Sequence, residues 1–473
     1  MAAESLAEWA AANAPAAKVL AQCRDSDGPM LDRALEHVRG YIAKHGLVLF
    51  GGLAIDYALR LRGSAIYPDG ERPDFDALSD RSVEHAYALA DELSAAGFES
   101  VSAIRAIHVQ TMRVRVDYRP VADFGYAPPD VYKGLPTFDY RGIRVIHPDY
   151  QRMDMHLAFC FPFNGAPRED VFSRWRKDLK RFNLIADLYP IVDPCPAAAV
   201  ISVVAEFDAA LDGPNVALTG FAGYAVLRAA LSDEAARRGP AARARLESVR
   251  APALRVALDG ATRLALELPT GAVPEVVIAT TDPDAAIADR GTAFDPYVDI
   301  YPAGVRRDSA VALSTRGRLL AVVGARLGER VVRVASPQHI CLYFLCASFR
   351  QPAQAALYRG YYTSTLEIID AAEEIYRDAS SEAAAQDFAK SPFAPSVETM
   401  GSVNTDAAYL IKTASSAARL ADSPPAVLGL DAGVAQILSG LPANYYPARH
   451  KAHPAFDYAS CALFQRSGAD TKK

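Results

Sequence analysis

Hydrophobic positions recur at helical spacing at the start of the chain. Ala-rich Leu6 to Gln22 predicts one helix. Leu31, Leu35, Val38 and Ile42 predict a second over Met30 to Lys44, beyond the breaker Asp25-Ser26-Asp27-Gly28-Pro29. The pattern then changes. Leu47 to Phe50 is an unbroken apolar run, as a buried strand requires, and Gly51-Gly52 ends it. Helical spacing resumes from Leu53 to Arg62, and Pro73-Asp74-Phe75-Asp76 reads as the next strand. Arg81 to Ala96 predicts an amphipathic helix with Gly97 past its end. Thr111 to Arg119 alternates: Met112, Val114, Val116 and Tyr118 on one face, Arg113, Arg115 and Asp117 on the other. Such alternation predicts a half-buried strand, which Pro120 is expected to bend into Val121 to Phe124. Tyr126 to Leu135 predicts a Pro-rich loop, Arg141 to Ile146 a short strand, and Gln151 to Phe163 a helix. Asp154 and His156 on that helix read as structural. Phe172 to Tyr189 predicts a basic amphipathic helix whose apolar face carries Trp175, Leu179, Phe182 and Ile185.

These elements make an α+β chain, and Pro190 to Pro196 reads as a linker within it. The expected division is an N-terminal helical segment, 1–45, a first unit, 46–190, and a second, 191–473. The second echoes the first. Val216 to Arg228 (VALTGFAGYAVLR) repeats the strand, glycines and helix of LVLFGGLAIDYALR. Pro296 to Pro302 resembles the strand with the two carboxylates, and Val331 to Phe349 echoes RVIHPDYQRMDMHLAF. A Gly-x-x-Gly replaces Gly-Gly, and no Asp-x-Asp stands at the matching distance. Asp282-Pro283-Asp284 comes too late, and its proline cannot serve a central strand. The second unit is therefore expected to keep the fold and lose the chemistry. Tyr358 to Asp378 predicts a tyrosine-rich helix, and Ser391 to Asp406 a loop.

The candidate chemistry lies in the first unit. Alternate residues of a strand share a face, so Asp74 and Asp76 point the same way. Two carboxylates so close repel unless a cation lies between them. Oxygen ligands of this kind suit Mg²⁺ (or Mn²⁺), which also binds substrate phosphates. Gly51 and Gly52 let backbone approach a ligand, and the helix behind them offers N–H groups to an anion. Strand, Gly-Gly, helix and then Asp-x-Asp is the arrangement of a nucleotidyltransferase. Asp123 is the candidate third ligand, with Asp117 its rival; Asp117 shares a face with two arginines and is more simply a surface ion-pair partner. Lys177, Lys180 and Arg181 are candidates to reach nucleotide phosphates from the basic helix. Leu441 to Lys451 (LPANYYPARHK) interleaves aromatics with cations, which suits stacking on single-stranded RNA and equally suits core packing.

Bulk properties narrow the picture further. A chain of 473 residues is expected to form two or three domains. Apolar residues make up 51% and mean hydropathy is near zero, as in soluble globular proteins. No apolar stretch reaches a bilayer-spanning length, and the N-terminus lacks the basic region of a secretory signal. The six cysteines show no CxxC pairing, which predicts reduced thiols in a cytosolic compartment and no zinc site. Net charge is −6, which excludes a generally basic nucleic-acid coat but not a local basic groove.

The motifs LVLFGGLAID, PDFDALSD, VDYRPVADFGYAPPDVYKGLP, RWRKDLKRFNLIADLYP, VVRVASPQHICLYFL and LPANYYP together resemble the poly(A) polymerase catalytic subunits of large nucleocytoplasmic DNA viruses, the poxvirus, asfarvirus and giant-virus group. The resemblance runs from about Val48 to Phe464. It implies a polymerase beta-like nucleotidyltransferase domain followed by a degenerate copy, and template-independent transfer of AMP from ATP to an RNA 3′ end. It implies that Gly51 and Gly52 cradle the triphosphate and that Asp74, Asp76 and Asp123 hold two metal ions. It also implies a location in the virion or host cytoplasm and a self-dimer, as in giant-virus relatives. Rival readings are a nucleotidyltransferase with a tRNA or small-molecule acceptor, an inactive RNA-binding scaffold, and a processivity partner.

Overall fold

The computed structural model describes residues 3–107, 110–160, 173–192, 200–206, 216–250, 254–259, 263–270, 275–278, 301–307, 310–314, 322–327, 330–377, 388–394, 438, 440–461 and 464. Helices α1 (Ala3–Cys23) and α2 (Gly28–His45) lead into the first sheet. A proline in its first turn starts α2, and Gly46, at φ +61°, stops it by returning its N–H to Ala43 and Ile42. The face bearing Ala34, Val38, Tyr41 and Ile42 is buried. Then come β1 (Val48–Phe50), α3 (Gly51–Arg60), β2 (Phe75–Ser79), α4 (Ser82–Ala95), β3 (Ser102–Arg105), β4 (Thr111–Val116) and β5 (Arg119–Tyr126). They are followed by α5 (Pro129–Gly134), β6 (Thr137–Tyr140), β7 (Ile143–Ile146), α6 (Pro148–Cys160) and α7 (Ser173–Leu188). The seven strands form one sheet in the order β3-β4-β5-β2-β1-β7-β6.

The second half begins with β8 (Val200–Glu206), β9 (Val216–Thr219), α8 (Gly220–Arg238) and α9 (Pro240–Glu247). Strands β10 (Val256–Asp259), β11 (Arg263–Pro269), β12 (Glu275–Ile278), β13 (Tyr301–Arg307) and β14 (Ala310–Ser314) follow. The half continues with β15 (Val322–Leu327), β16 (Arg330–Ala335), α10 (Pro337–Arg350) and α11 (Ala355–Arg377). Six strands form a sheet in the order β13-β14-β12-β9-β16-β15. That order matches β4-β5-β2-β1-β7-β6 in chain sequence and in the sense of every pairing: antiparallel, parallel, antiparallel, parallel, antiparallel. The internal repeat is thus present in the strand topology. Gly51 and Gly220 open the equivalent helices, both left-handed at φ +72° and +57°.

The repeat corrects one expectation. The strand equivalent to β2 is β12, not Pro296 to Pro302; Tyr301 and Pro302 begin β13, the counterpart of β4, and 296–300 lie outside the described residues, as does Asp282-Pro283-Asp284. Between α8 and β12 the chain inserts α9 and the β10–β11 hairpin, which pairs with β8. The insertion moves β12 beyond the spacing that the first copy suggests.

Other departures are local. The alternating stretch ends at Val116 and turns through Asp117 and Tyr118, both at positive φ, so Tyr118 is exposed and Arg119 to Tyr126 is a strand of its own. The loop over Tyr126 to Leu135 holds the short helix α5. Of the Leu441 to Lys451 segment, Tyr445 is buried and packs on Tyr87, and its backbone exchanges hydrogen bonds of 2.8 and 2.7 Å with Ala103 at the edge strand β3. This segment covers a sheet edge that would otherwise be open to pairing. Tyr446 lies nearer the surface, with the Arg449 guanidinium over its ring at 4.7 Å.

The two halves meet at α6. His156 Nε2 and the Tyr362 hydroxyl of α11 share a hydrogen bond of 3.0 Å, fully buried. Burial, reinforced by Arg152, pushes His156 from 6.5 down to about 3. The unfolded chain therefore takes up this proton below about 6.5 and the native chain only near 3, so stability is lost as pH falls through that window. His156→Gln, which cannot charge, is expected to flatten this loss. Urea midpoints at pH 7.5, 6 and 5 measure it; parallel curves for the two proteins would refute the assignment.

Candidate active site

Three carboxylates and one guanidinium meet at the centre of the first sheet. Register partners on adjacent strands share a face, and here four form a row: Phe50 on β1 faces Asp76 on β2, Asp76 faces Asp123 on β5, and Asp123 faces Arg113 on β4. Asp74 precedes β2 by one residue and joins the same cluster, since it and Asp123 both raise the Asp76 carboxyl. Burial is the larger cause, and together these push Asp76 from 3.8 up to about 7. Asp74 is raised for the same reasons, burial first and then Asp123. Arg113 and Lys177 oppose both shifts.

Gly51 is the floor of this cluster. A Cβ there would stand 2.3 Å from Asp76 Oδ2, so the missing side chain is what lets the carboxylate lie against the turn. Gly51 and Gly52 form the first turn of α3, whose N-cap, Phe50, supplies no side-chain oxygen to the N–H groups behind it. A Cβ on Gly52 would meet the Tyr67 hydroxyl at 2.2 Å and Arg181 at 2.9 Å. Arg181 donates to that hydroxyl at 3.2 Å. Gln151 of α6 donates to the Gly51 carbonyl at 3.2 Å.

The basic helix α7 is held by its apolar side. Trp175 donates to the Ala158 carbonyl, and Ile185 is buried in a cluster with Ile55, Leu59, Met155 and Phe159. Lys177 and Arg181, four residues apart, fall on one face: the charge of Lys177 favours the ionised forms of Asp74 and Asp76, and Arg181 comes to Gly52 and Tyr67. Lys180 is exposed, and among the described residues no contact ties it to the carboxylates. Asp117 sits in the exposed hairpin turn, away from the row, and Arg113 pairs with Asp123 instead.

Spacing did not reveal Tyr67, Arg113 or the pair Asp56 and Arg60. Asp56 is buried in α3, and its Oδ1 accepts the N–H groups of Ile66 and Tyr67 at 2.9 and 3.0 Å. Arg60, one helical turn on, donates to Asp56, to Asp69 and to the Tyr67 carbonyl. The pair fixes the loop that places Tyr67 over Gly52 and leads into Asp74. Its only trace in the sequence was an acid and an arginine at i and i+4.

Among the described residues, the second copy lacks this constellation. Glu275, facing Thr219, takes the place of Asp76, and Val311 the place of Asp123. Phe221 stands where Gly52 does, packed in a buried aromatic cluster with Phe344 and Tyr361.

Hard oxygen donors crowded beside a glycine turn and short of positive charge fit a divalent cation by donor chemistry. As the side chains stand, though, no three His, Cys, Asp or Glu among the described residues form a ready metal cage. No helix among them is long and apolar enough to cross a membrane.

Residues 36–165 match the family described as poly(A) polymerase catalytic subunit. A protein named as such a subunit, from a Kenyan pig isolate of African swine fever virus, is 38% identical over 97% of this chain and 98% of its own length. Its counterpart from the Vero-adapted Badajoz strain is 37% identical over 96% of each chain. The crystal structure of the Megavirus polyadenylate synthase shares the fold, with a TM-score of 0.56 and 16% identity over 80% of this chain and 76% of that one. This chain belongs to the poly(A) polymerase catalytic subunit family and is a nucleotidyltransferase.

Proposed function

We propose that the chain extends the 3′ end of mRNA with AMP from ATP, without a template, using two divalent ions held by Asp74, Asp76 and Asp123. The observation that carries this reading is the row of acids seated against Gly51. The RNA 3′-hydroxyl attacks the α-phosphorus of ATP, and pyrophosphate leaves. Mg²⁺ or Mn²⁺, when bound, would lower the pKa of that hydroxyl and neutralise charge on the leaving pyrophosphate. The chain's own groups do the positioning. The N–H groups of the first turn of α3 face the triphosphate, and Lys177, Arg181 and the Tyr67 hydroxyl line its seat. Asp56 and Arg60 hold Tyr67 there. In this reading residues 46–190 carry the reaction, and residues 191–473, with Val311 and Phe221 in place of the acid and the glycine, support it without catalysing.

Incubation with an oligo(A) primer and each nucleoside triphosphate in turn tests the proposal. A long ladder with ATP and little extension with the others is expected. Addition that stops after one or a few nucleotides would favour a tRNA-type or small-molecule acceptor instead.

A further inference from the structure

The carboxylate row already contains a cation. Arg113 Nε donates to Asp123 Oδ1 at 2.7 Å and its Nη2 to Oδ2 at 2.6 Å, so both oxygens of the third carboxylate accept from one guanidinium, which orients that carboxylate toward itself. Arg113 is part-buried and stands directly opposite Asp123 across the β4–β5 ladder, so the pairing is set by register and not by a flexible surface contact. The same guanidinium is close enough to Asp74 and Asp76 to favour their ionised forms. A fork of this kind matches a carboxylate in plane and satisfies it more fully than a lysine could.

We infer that Arg113 is the resident counter-ion of the acidic row, and that it must release Asp123 before Asp123 can join Asp74 and Asp76 around a divalent ion. This rests on the metal-ion reading proposed above. Two consequences follow from charge alone. With no divalent ion, Arg113 offsets the repulsion among three acids that the sheet forces together. On metal loading, it competes for the same oxygens and so raises the ion concentration at which the site fills. Released from Asp123, the guanidinium still sits at the row, where the next anion to arrive is a nucleotide or RNA phosphate. Arg113 is in this account a positioning residue, acting on the reaction through Asp123.

The test is Mn²⁺ binding to the full chain without nucleotide, read from the free-ion signal in electron paramagnetic resonance, for wild type, Arg113→Gln and Arg113→Lys. Losing a charged bidentate pair that competes with the metal is expected to tighten Mn²⁺ binding in Arg113→Gln on the order of tenfold to a hundredfold. Arg113→Lys keeps the charge but not the fork, so it folds with the row still offset and tightens binding less. Asp123→Asn, with its carboxylate gone, binds Mn²⁺ more weakly than wild type whichever residue stands at 113. Equal Mn²⁺ affinity in wild type and both Arg113 variants, or weaker binding when Arg113 is replaced, overturns the inference while leaving the metal site intact. No Mn²⁺ binding by any of the proteins, even with ATP present, overturns the metal reading itself, and this inference with it.

Discussion

Replacing Asp76 with asparagine is expected to abolish AMP transfer and to leave the fold at least as stable as before. The first half follows from position. Asp76 is the middle acid of the row, between Asp123 and the Gly51 turn, and Asn keeps its shape while removing the charge that would hold a metal ion. Lewis-acid stabilisation worth several kcal/mol corresponds, at roughly 1.4 kcal/mol per tenfold, to a fall of about a thousandfold. The second half follows from the raised carboxyl. A folded-state value near 7 against an ordinary 3.8 means that the native chain binds this proton more tightly than the unfolded chain. Native stability in EDTA therefore falls as pH rises from about 4 to about 7, and stays low above that. Asn removes the charge and with it this loss, which is a few kcal/mol at most. Primer extension and thermal melting in EDTA at pH 5 and pH 8 measure the two halves. An Asn variant that still builds a ladder takes Asp76 out of the reaction, and one that melts lower than wild type at pH 8 denies the repulsion.

What the sequence disclosed was what runs consecutively along it. Leu47 to Phe50, Gly51-Gly52 and Asp74-x-Asp76 lie in one continuous stretch, and local periodicity finds the strands and the helix there, although α3 begins at Gly51 itself and β2 only after Asp74. Asp123 was legible as an acid among apolar neighbours, and α7 as a charged helix with an apolar stripe. Contacts between strands were not legible. Arg113 looked like one of two arginines sharing a face with Asp117, because alternation runs on past Val116 and does not mark a turn made by non-glycine residues at positive φ. The real turn at Asp117 and Tyr118 folds β5 back so that Arg113 meets Asp123. Tyr67 belongs to a loop whose order comes from a buried carboxylate on the preceding helix, and no local pattern reports that. The second copy was visible at its glycines and at its last strand and helix. It was misplaced at β12, where an inserted hairpin and the loss of Asp-x-Asp erase both spacing and composition. Tyr445 shows the converse: an aromatic, basic stretch suited to RNA is partly spent on covering β3.

Gly51→Ala is expected to reduce the rate on the order of a hundredfold and to cost about 1–3 kcal/mol of stability. Two separate effects combine there. The backbone at φ +72° is one that a residue with a Cβ adopts only under strain, and the new methyl would also stand 2.3 Å from Asp76 Oδ2. Asp76 has little room to retreat, since Asp74 and Asp123 lie close to it and repel it. Displacing a carboxylate that would hold a metal ion by even an ångström would misalign the reacting groups. The duplicate separates the two effects. Gly220 opens the equivalent helix at φ +57°, yet the residue facing its strand end is Glu275, and Val311 follows in the row. Gly220→Ala should therefore show the backbone strain as a similar loss of stability, with transfer unchanged once the protein is folded. Gly52→Ala separates them from the other side. Gly52 is not left-handed, and its Cβ would meet the ends of Arg181, which can swing away, and of Tyr67, whose loop Asp56 and Arg60 hold in place. That variant carries no backbone strain, so it should lose less stability than Gly51→Ala and, with Tyr67 and Arg181 displaced, show a raised KM for ATP. Urea melts and steady-state kinetics on the three alanine variants resolve them. If Gly220→Ala and Gly51→Ala lose activity alike, the loss comes from strain in a helix start, and the close approach of Asp76 to the turn has no special part in the chemistry.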